Sequence, residues 1–165
     1  MRRYLLAAAL LAISLAGPVR AEGDSGFQAL KALSGSWVGV AREGSRRAMA
    51  TRATFRVVSG GSAVMLTTDP GTPHEMVTLF HEDDGTLMAT HYCAAQNQPR
   101  LRAQPSEDGK TLVFEFVDGT NLGAHPGRMQ RLVITLPDRD HQVQEWTYRE
   151  GDAESTARFE MHRKG

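Results

Sequence analysis

Two short stretches hold most of the reactive side chains of this 165-residue chain: His74-Glu75-Met76, and His91-Tyr92-Cys93 followed by Asn97, Gln98 and Arg100. A histidine, a carboxylate, a phenol and a thiol brought together would supply a general base, a nucleophile and donors for a developing anion. The same groups over an apolar floor would instead make a small-molecule pocket, where a few donors and acceptors fix a ligand's orientation. Asp83-Asp84-Gly85 stands between the two stretches and reads as a turn. Pairing about it sets residues near Glu75 to Val77 opposite His91 to Cys93, within cross-strand reach. Asn121 follows a second turn, Asp118-Gly119, and adds a polar group. The expected ligand-facing set is Glu75, His91, Tyr92, Asn97, Arg100 and Asn121. Strand alternation does not let all of them face inward, and His74 and Glu75 point to opposite faces of a regular strand.

Plainer roles compete with each of these. Cys93 shares a face with His91, and a buried thiol in a sheet wall commonly only packs. Acting as a nucleophile would require a neighbouring base and a lowered pKa, and a redox or metal-binding thiol is the third use. His91 reads as a wall residue or ligand contact ahead of a catalytic base. Arg100 would grip a carboxylate or phosphate with two parallel bonds, or pair with an acid at the rim. The histidines at 74, 81, 91, 125, 141 and 162 form no His-x-His pair, and Cys93 has no Cys-x-x-Cys partner, so no metal site is expected. The one conceivable metal arrangement joins His74 or Glu75 to His91. His125, His141 and the Arg46-Arg47 pair fall in predicted turns. Trp146 reads as a core aromatic with Glu145 outside, the reverse arrangement placing Glu145 within.

The elements that would position these groups are strands. From Ser36 onward the apolar period is two, with candidate strands at 36–43, 50–58, 63–68, 74–81, 87–94, 100–104, 111–117, 129–136, 142–149 and 155–162. Short turns such as Asp69-Pro70-Gly71, Asp108-Gly109 and Gly151-Asp152 join them, and connections that short make neighbours antiparallel. Leu112, Phe114 and Phe116 share one face, as do Leu132, Ile134 and Leu136, while Arg131 and Thr135 lie opposite. One oily face and one wet face suit an all-β, up-and-down meander barrel of about ten strands, preferred here over a two-layer sandwich. Asp24 or Ser25 would cap a short N-terminal helix bearing Phe27, Leu30 and Leu33, which Gly35 ends.

Residues 1–21 have a different character. Arg2 and Arg3, an apolar run from Tyr4 to Ala16, and small residues up to Ala21 make a secretory leader, too short to span a bilayer. Cleavage near Ala21 would leave residues 22–165 as one domain in the periplasm or outside the cell. The intact sequence has net charge 0, but losing Arg2, Arg3 and Arg20 leaves 16 Lys and Arg against 19 Asp and Glu, a net of −3. A mildly acidic domain without a basic run excludes nucleic acid and stable membrane insertion as expected associations. With Cys93 alone, no internal disulfide forms.

Gly35-Ser36-Trp37-Val38-Gly39 stands directly after the predicted helix, at the head of the meander. It resembles the Gly-x-Trp entry of lipocalin and calycin barrels, which implies that Trp37 plugs the closed end. Val57-Val58-Ser59-Gly60-Gly61-Ser62-Ala63-Val64, Pro70-Gly71-Thr72-Pro73-His74-Glu75-Met76-Val77-Thr78, His91-Tyr92-Cys93-Ala94-Ala95, Asn97-Gln98-Pro99-Arg100 and Asp118-Gly119-Thr120-Asn121 resemble secreted bacterial lipocalin-like proteins. That resemblance implies the barrel and brings no activity. Nitrobindins, haem-binding barrels with a similar entry, are more distant. Their haem rests on a C-terminal histidine, for which His162 is the candidate, although alternation turns it to solvent. The expectation is therefore an exported, non-catalytic binder of a small, partly apolar molecule, without a cofactor. The alternatives are an enzyme with His91 or Glu75 as general base, and a structural or envelope-interaction protein with a filled barrel.

Overall fold

Alternating residues become ten antiparallel strands, each bonded to its neighbours in sequence, with the last returning to the first. The computed structural model describes residues 22–104 and 110–165. The leader expected over 1–21 and the Asp108-Gly109 turn lie outside them. Helix α1 (Glu22–Ala32) precedes β1 (Gly35–Glu43), β2 (Met49–Val58), β3 (Ala63–Thr68), β4 (Met76–Asp83) and β5 (Thr86–Tyr92). There follow β6 (Gln98–Gln104), β7 (Thr111–Thr120), β8 (Arg128–Asp138), β9 (His141–Glu150) and β10 (Ala153–Arg163). The sheet closes where β1 pairs with β10, Trp37 opposite Arg163 and Glu43 opposite Ala157. Gly39 makes that seam possible, because a Cβ there would lie 2.0 Å from the Glu160 carbonyl oxygen. The all-β meander barrel and its short capping helix match the expected fold.

Several boundaries differ from the sequence-based expectation: β5 ends at Tyr92, leaving Cys93 and Ala94 outside it, β7 runs on to Thr120, and three others have a clear local reason. The helix begins at Glu22, ahead of Asp24. Strand β4 begins at Met76, which leaves His74 and Glu75 in a turn: the Glu75 carboxylate accepts the Gly71 N–H at 2.5 Å, and Glu75 N–H donates to the Thr72 carbonyl. Strand β6 starts at Gln98 and contains Pro99, which lies one residue beyond the last β5–β6 pair, Thr90 with Arg100, while the β6–β7 register shifts between Arg100 and Leu101. Gly119 faces Pro99, and a Cβ on it would sit 2.9 Å from the Pro99 Cα.

The core fills the end nearest the helix. Phe55, Leu66, Phe80, Leu101, Phe114, Leu132 and Ile134 are fully buried there, and the Phe80 and Phe114 rings stand 5.5 Å apart. Phe27, Leu30 and Leu33 lay the apolar side of α1 onto this cluster. Trp37 is wholly buried and donates its indole N–H to the Leu33 carbonyl at 2.8 Å. The Arg163 guanidinium lies 4.5 Å above the Trp37 ring and donates to the carbonyls of Ala32, Ser34 and Arg139. One arginine thus ties the helix end, the first strand and the β8–β9 turn together, and this end of the barrel is shut.

Candidate ligand site at the open end

The opposite end is built differently. On β5, His91 faces inward, opposite Thr78 of β4, and the Thr78 hydroxyl lies 2.8 Å from His91 Nδ1. His91 is 2% exposed and its ring centroid is 4.8 Å from that of Trp146 on β9. Burial pushes its pKa down to about 4, so the imidazole is neutral at neutral pH. Its Nε2 is buried and has no hydrogen-bond partner. The Trp146 indole N–H is taken by Gln144 Oε1 at 2.9 Å, and Gln144 in turn donates to Gln142 Oε1 at 2.9 Å. The inner side of β9 is therefore a ladder of neutral amides leading toward the closed end.

One residue layer further out, Tyr148 follows Trp146 in the same alternation of β9, and Cys93 lies just past the end of β5, its N–H donating to the Asn97 carbonyl. Burial is the main cause raising the Cys93 thiol pKa, which keeps it protonated and unreactive. Burial also raises the Tyr148 phenol, helped by negative charge at Glu150. The Tyr148 hydroxyl lies against Gly127, where a Cβ would come 2.1 Å from it. Beside Tyr148, an open groove of about 330 Å³ runs between segments 94–96 and 124–127, with Glu150 on its border.

Asn97 builds that groove. Wholly buried, it donates its amide N–H groups to the His125 carbonyl at 2.7 Å and the Gly127 carbonyl at 2.6 Å, while its Oδ1 has no partner. Asn121 donates to the Gln96 carbonyl at 2.5 Å, and Gln96 N–H donates to the Cys93 carbonyl. Both asparagines thus position loops. Asn97→Ala would strip the donors from two backbone carbonyls, one of them in a buried bond. We expect it to cost about 2 kcal/mol in urea denaturation and to raise hydrogen exchange in segment 121–127. Unchanged exchange there would show that another group holds the loop.

The remaining residues singled out in the sequence do not join this cluster. Glu75 is exposed and occupied with its own turn. Tyr92 and Arg100 lie on the outer face, where Arg100 forms a two-pronged pair with Asp118 at 2.5 and 2.6 Å that raises the arginine pKa. Glu145 is likewise outside, bonded to Arg158, and Trp146 is within. His162 is exposed, while its neighbour Met161 is buried, so His162 is not placed to ligate a group in the interior. His91 is the one buried histidine of the six. Among the described residues, no three His, Cys, Asp or Glu side chains gather as a metal site would require.

Thr78 and Tyr148 were missed by sequence reasoning, although both had a signal. Counting back from Asp84-Gly85, where φ is 47° and 77° as a tight hairpin turn requires, puts Thr78 opposite His91. Tyr148, Gln144 and Gln142 share the alternation phase of the inward Trp146.

No protein-family model and no curated protein matches the chain. Among solved structures, Rv2717c from M. tuberculosis is similar with a TM-score of 0.62 at 16% identity, covering 84% of this chain and 97% of that one. A redesigned β-barrel gives a TM-score of 0.41 at 14% identity, covering 83% and 96%. At such identities the likeness to Rv2717c bears on the fold alone.

Proposed function

We propose that this protein is an exported, non-catalytic carrier or receptor for a small, partly apolar molecule, received at the open end of its barrel. One observation carries the reading: His91 Nε2, a polar atom buried beside the Trp146 ring, has no hydrogen-bond partner. Leaving such an atom unmatched costs about 1–3 kcal/mol, and a bound molecule would recover that energy. The groove between segments 94–96 and 124–127 offers an approach from outside. Export rests on the leader-like residues 1–21.

Catalysis is less well supported, because the groups it would combine are apart. Glu75 closes an external turn, Tyr92 and Arg100 face solvent, and burial lowers the basicity of the His91 imidazole, with a pKa of about 4. A filled, structural barrel is the second reading, favoured by the unbroken packing between Trp37 and Leu132. Native mass spectrometry of the protein from its own host separates the two. The binding reading expects a retained small molecule that His91→Ala releases while the fold persists. A folded wild type that carries only its own mass would overturn it in favour of the filled barrel.

A further inference from the structure

Resting on that reading of the open end, we propose that His91 offers an Nε2–H donor and that the ligand meets it with an uncharged hydrogen-bond acceptor, such as a ketone, ester or amide carbonyl. The Thr78 side chain fixes the tautomer. Its hydroxyl is buried, and His91 Nδ1 at 2.8 Å is its hydrogen-bond partner. A hydroxyl has one proton to give. Were the ring proton on Nδ1, it would point at the Thr78 oxygen and leave the hydroxyl hydrogen without an acceptor in a dry site. With the ring proton on Nε2, Nδ1 accepts from Thr78 and both groups are satisfied. The proton left over is Nε2–H, which has no acceptor.

The surroundings select against charge. Among the described residues, the buried polar side chains are Thr51, Thr68, Thr78, His91, Asn97, Gln142 and Gln144, none of which is ionised when His91 is neutral. A carboxylate reaching His91 would lose its hydration, and among the described residues none of the fully buried side chains carries a positive charge to replace it. The same tautomer turns a proton toward the interior in place of a lone pair, so a metal ion would first have to break the Thr78 bond. The adjoining Trp146 ring supplies a flat apolar surface for the carbon skeleton beside the acceptor.

Two measurements on residues 22–165 test the inference. Long-range proton–nitrogen spectroscopy of the ¹⁵N-labelled protein should show the His91 proton on Nε2, with Thr78→Val allowing the other tautomer to appear. A proton on Nδ1 in the wild type overturns the proposal whatever binds. Titration with nonane, 2-nonanone and nonanoate at neutral pH, followed by Trp fluorescence, should favour the ketone over the alkane by up to about tenfold, the worth of one net hydrogen bond. His91→Phe should abolish that preference and leave alkane binding unchanged. Equal binding of ketone and alkane, or tighter binding of nonanoate, overturns the uncharged acceptor and leaves the interior-binding reading standing. Failure of all three probes to bind counts against the interior-binding reading itself, while the tautomer still decides the state of His91.

Discussion

Trp37→Ala is expected to destabilise the barrel by about 3–5 kcal/mol, the usual cost of deleting a large aromatic from a packed core. Three separate losses point the same way. The cavity would open at the centre of the cluster that α1 covers, where Leu30, Phe55 and Leu132 have no exposed surface from which to rearrange. Leu33 would lose the indole N–H that its carbonyl accepts at 2.8 Å. Arg163 would lose the ring beneath its guanidinium and be left tied only to carbonyls and Asp140. Trp37→Phe keeps an aromatic face for Arg163 but removes the N–H, so it should fall well short of the alanine loss. Guanidinium denaturation of the three proteins measures this directly. An alanine variant as stable as the wild type would remove Trp37 from its role as the plug.

The second large effect is acid sensitivity through His91. An unfolded histidine titrates near pH 6.5, whereas the native one resists protonation until about pH 4. Between those values the unfolded chain takes up a proton that the native barrel refuses, so stability is highest above the window and drains away as pH falls through it. At 1.36 kcal/mol per unit, the full loss approaches about 3 kcal/mol by pH 4. Asp138, whose pKa is lowered chiefly by the Asp140 N–H and by His141, adds its own loss of stability toward acid. A His91→Phe variant isolates the histidine: its stability should fall distinctly less than the wild type's between pH 7 and pH 4.5. Parallel curves for the two proteins would mean that His91 is protonated in the folded state as readily as in the unfolded one.

Much of this architecture could be read from the chain because its signals are local. Alternation around Phe114, Ile134 and Trp146 set the inward phase correctly, while the turn at Asp84-Gly85 placed the right two strands together but with Glu75 to Val77, and not Thr78, expected opposite His91. The Gly-x-Trp segment placed Trp37 at the shut end. What eluded the sequence were contacts between distant segments. Asn97 and Asn121 have the side chains of a polar ligand site, yet their partners, His125, Gly127 and Gln96, lie 25 to 30 residues away and nothing in the spacing announces them. Arg100 looked like an anion grip because its outward phase in β6 depends on a register shift beside Pro99. Glu75 looked like a strand residue because its bond to the Gly71 N–H is a side-chain device that propensity does not encode.

The pairing of β1 with β10 has a consequence for how the polypeptide must assemble. Every other ladder joins strands adjacent in sequence and can zip locally, hairpin by hairpin, at little entropic expense. The final ladder spans well over a hundred residues, and no earlier strand substitutes for it. On a growing chain, the ribbon therefore stays open with two raw margins until Ala153–Arg163 has emerged. During that interval β1 and the strand before β10 are the places where a holding chaperone, or a neighbouring copy, would find unclaimed backbone donors and acceptors.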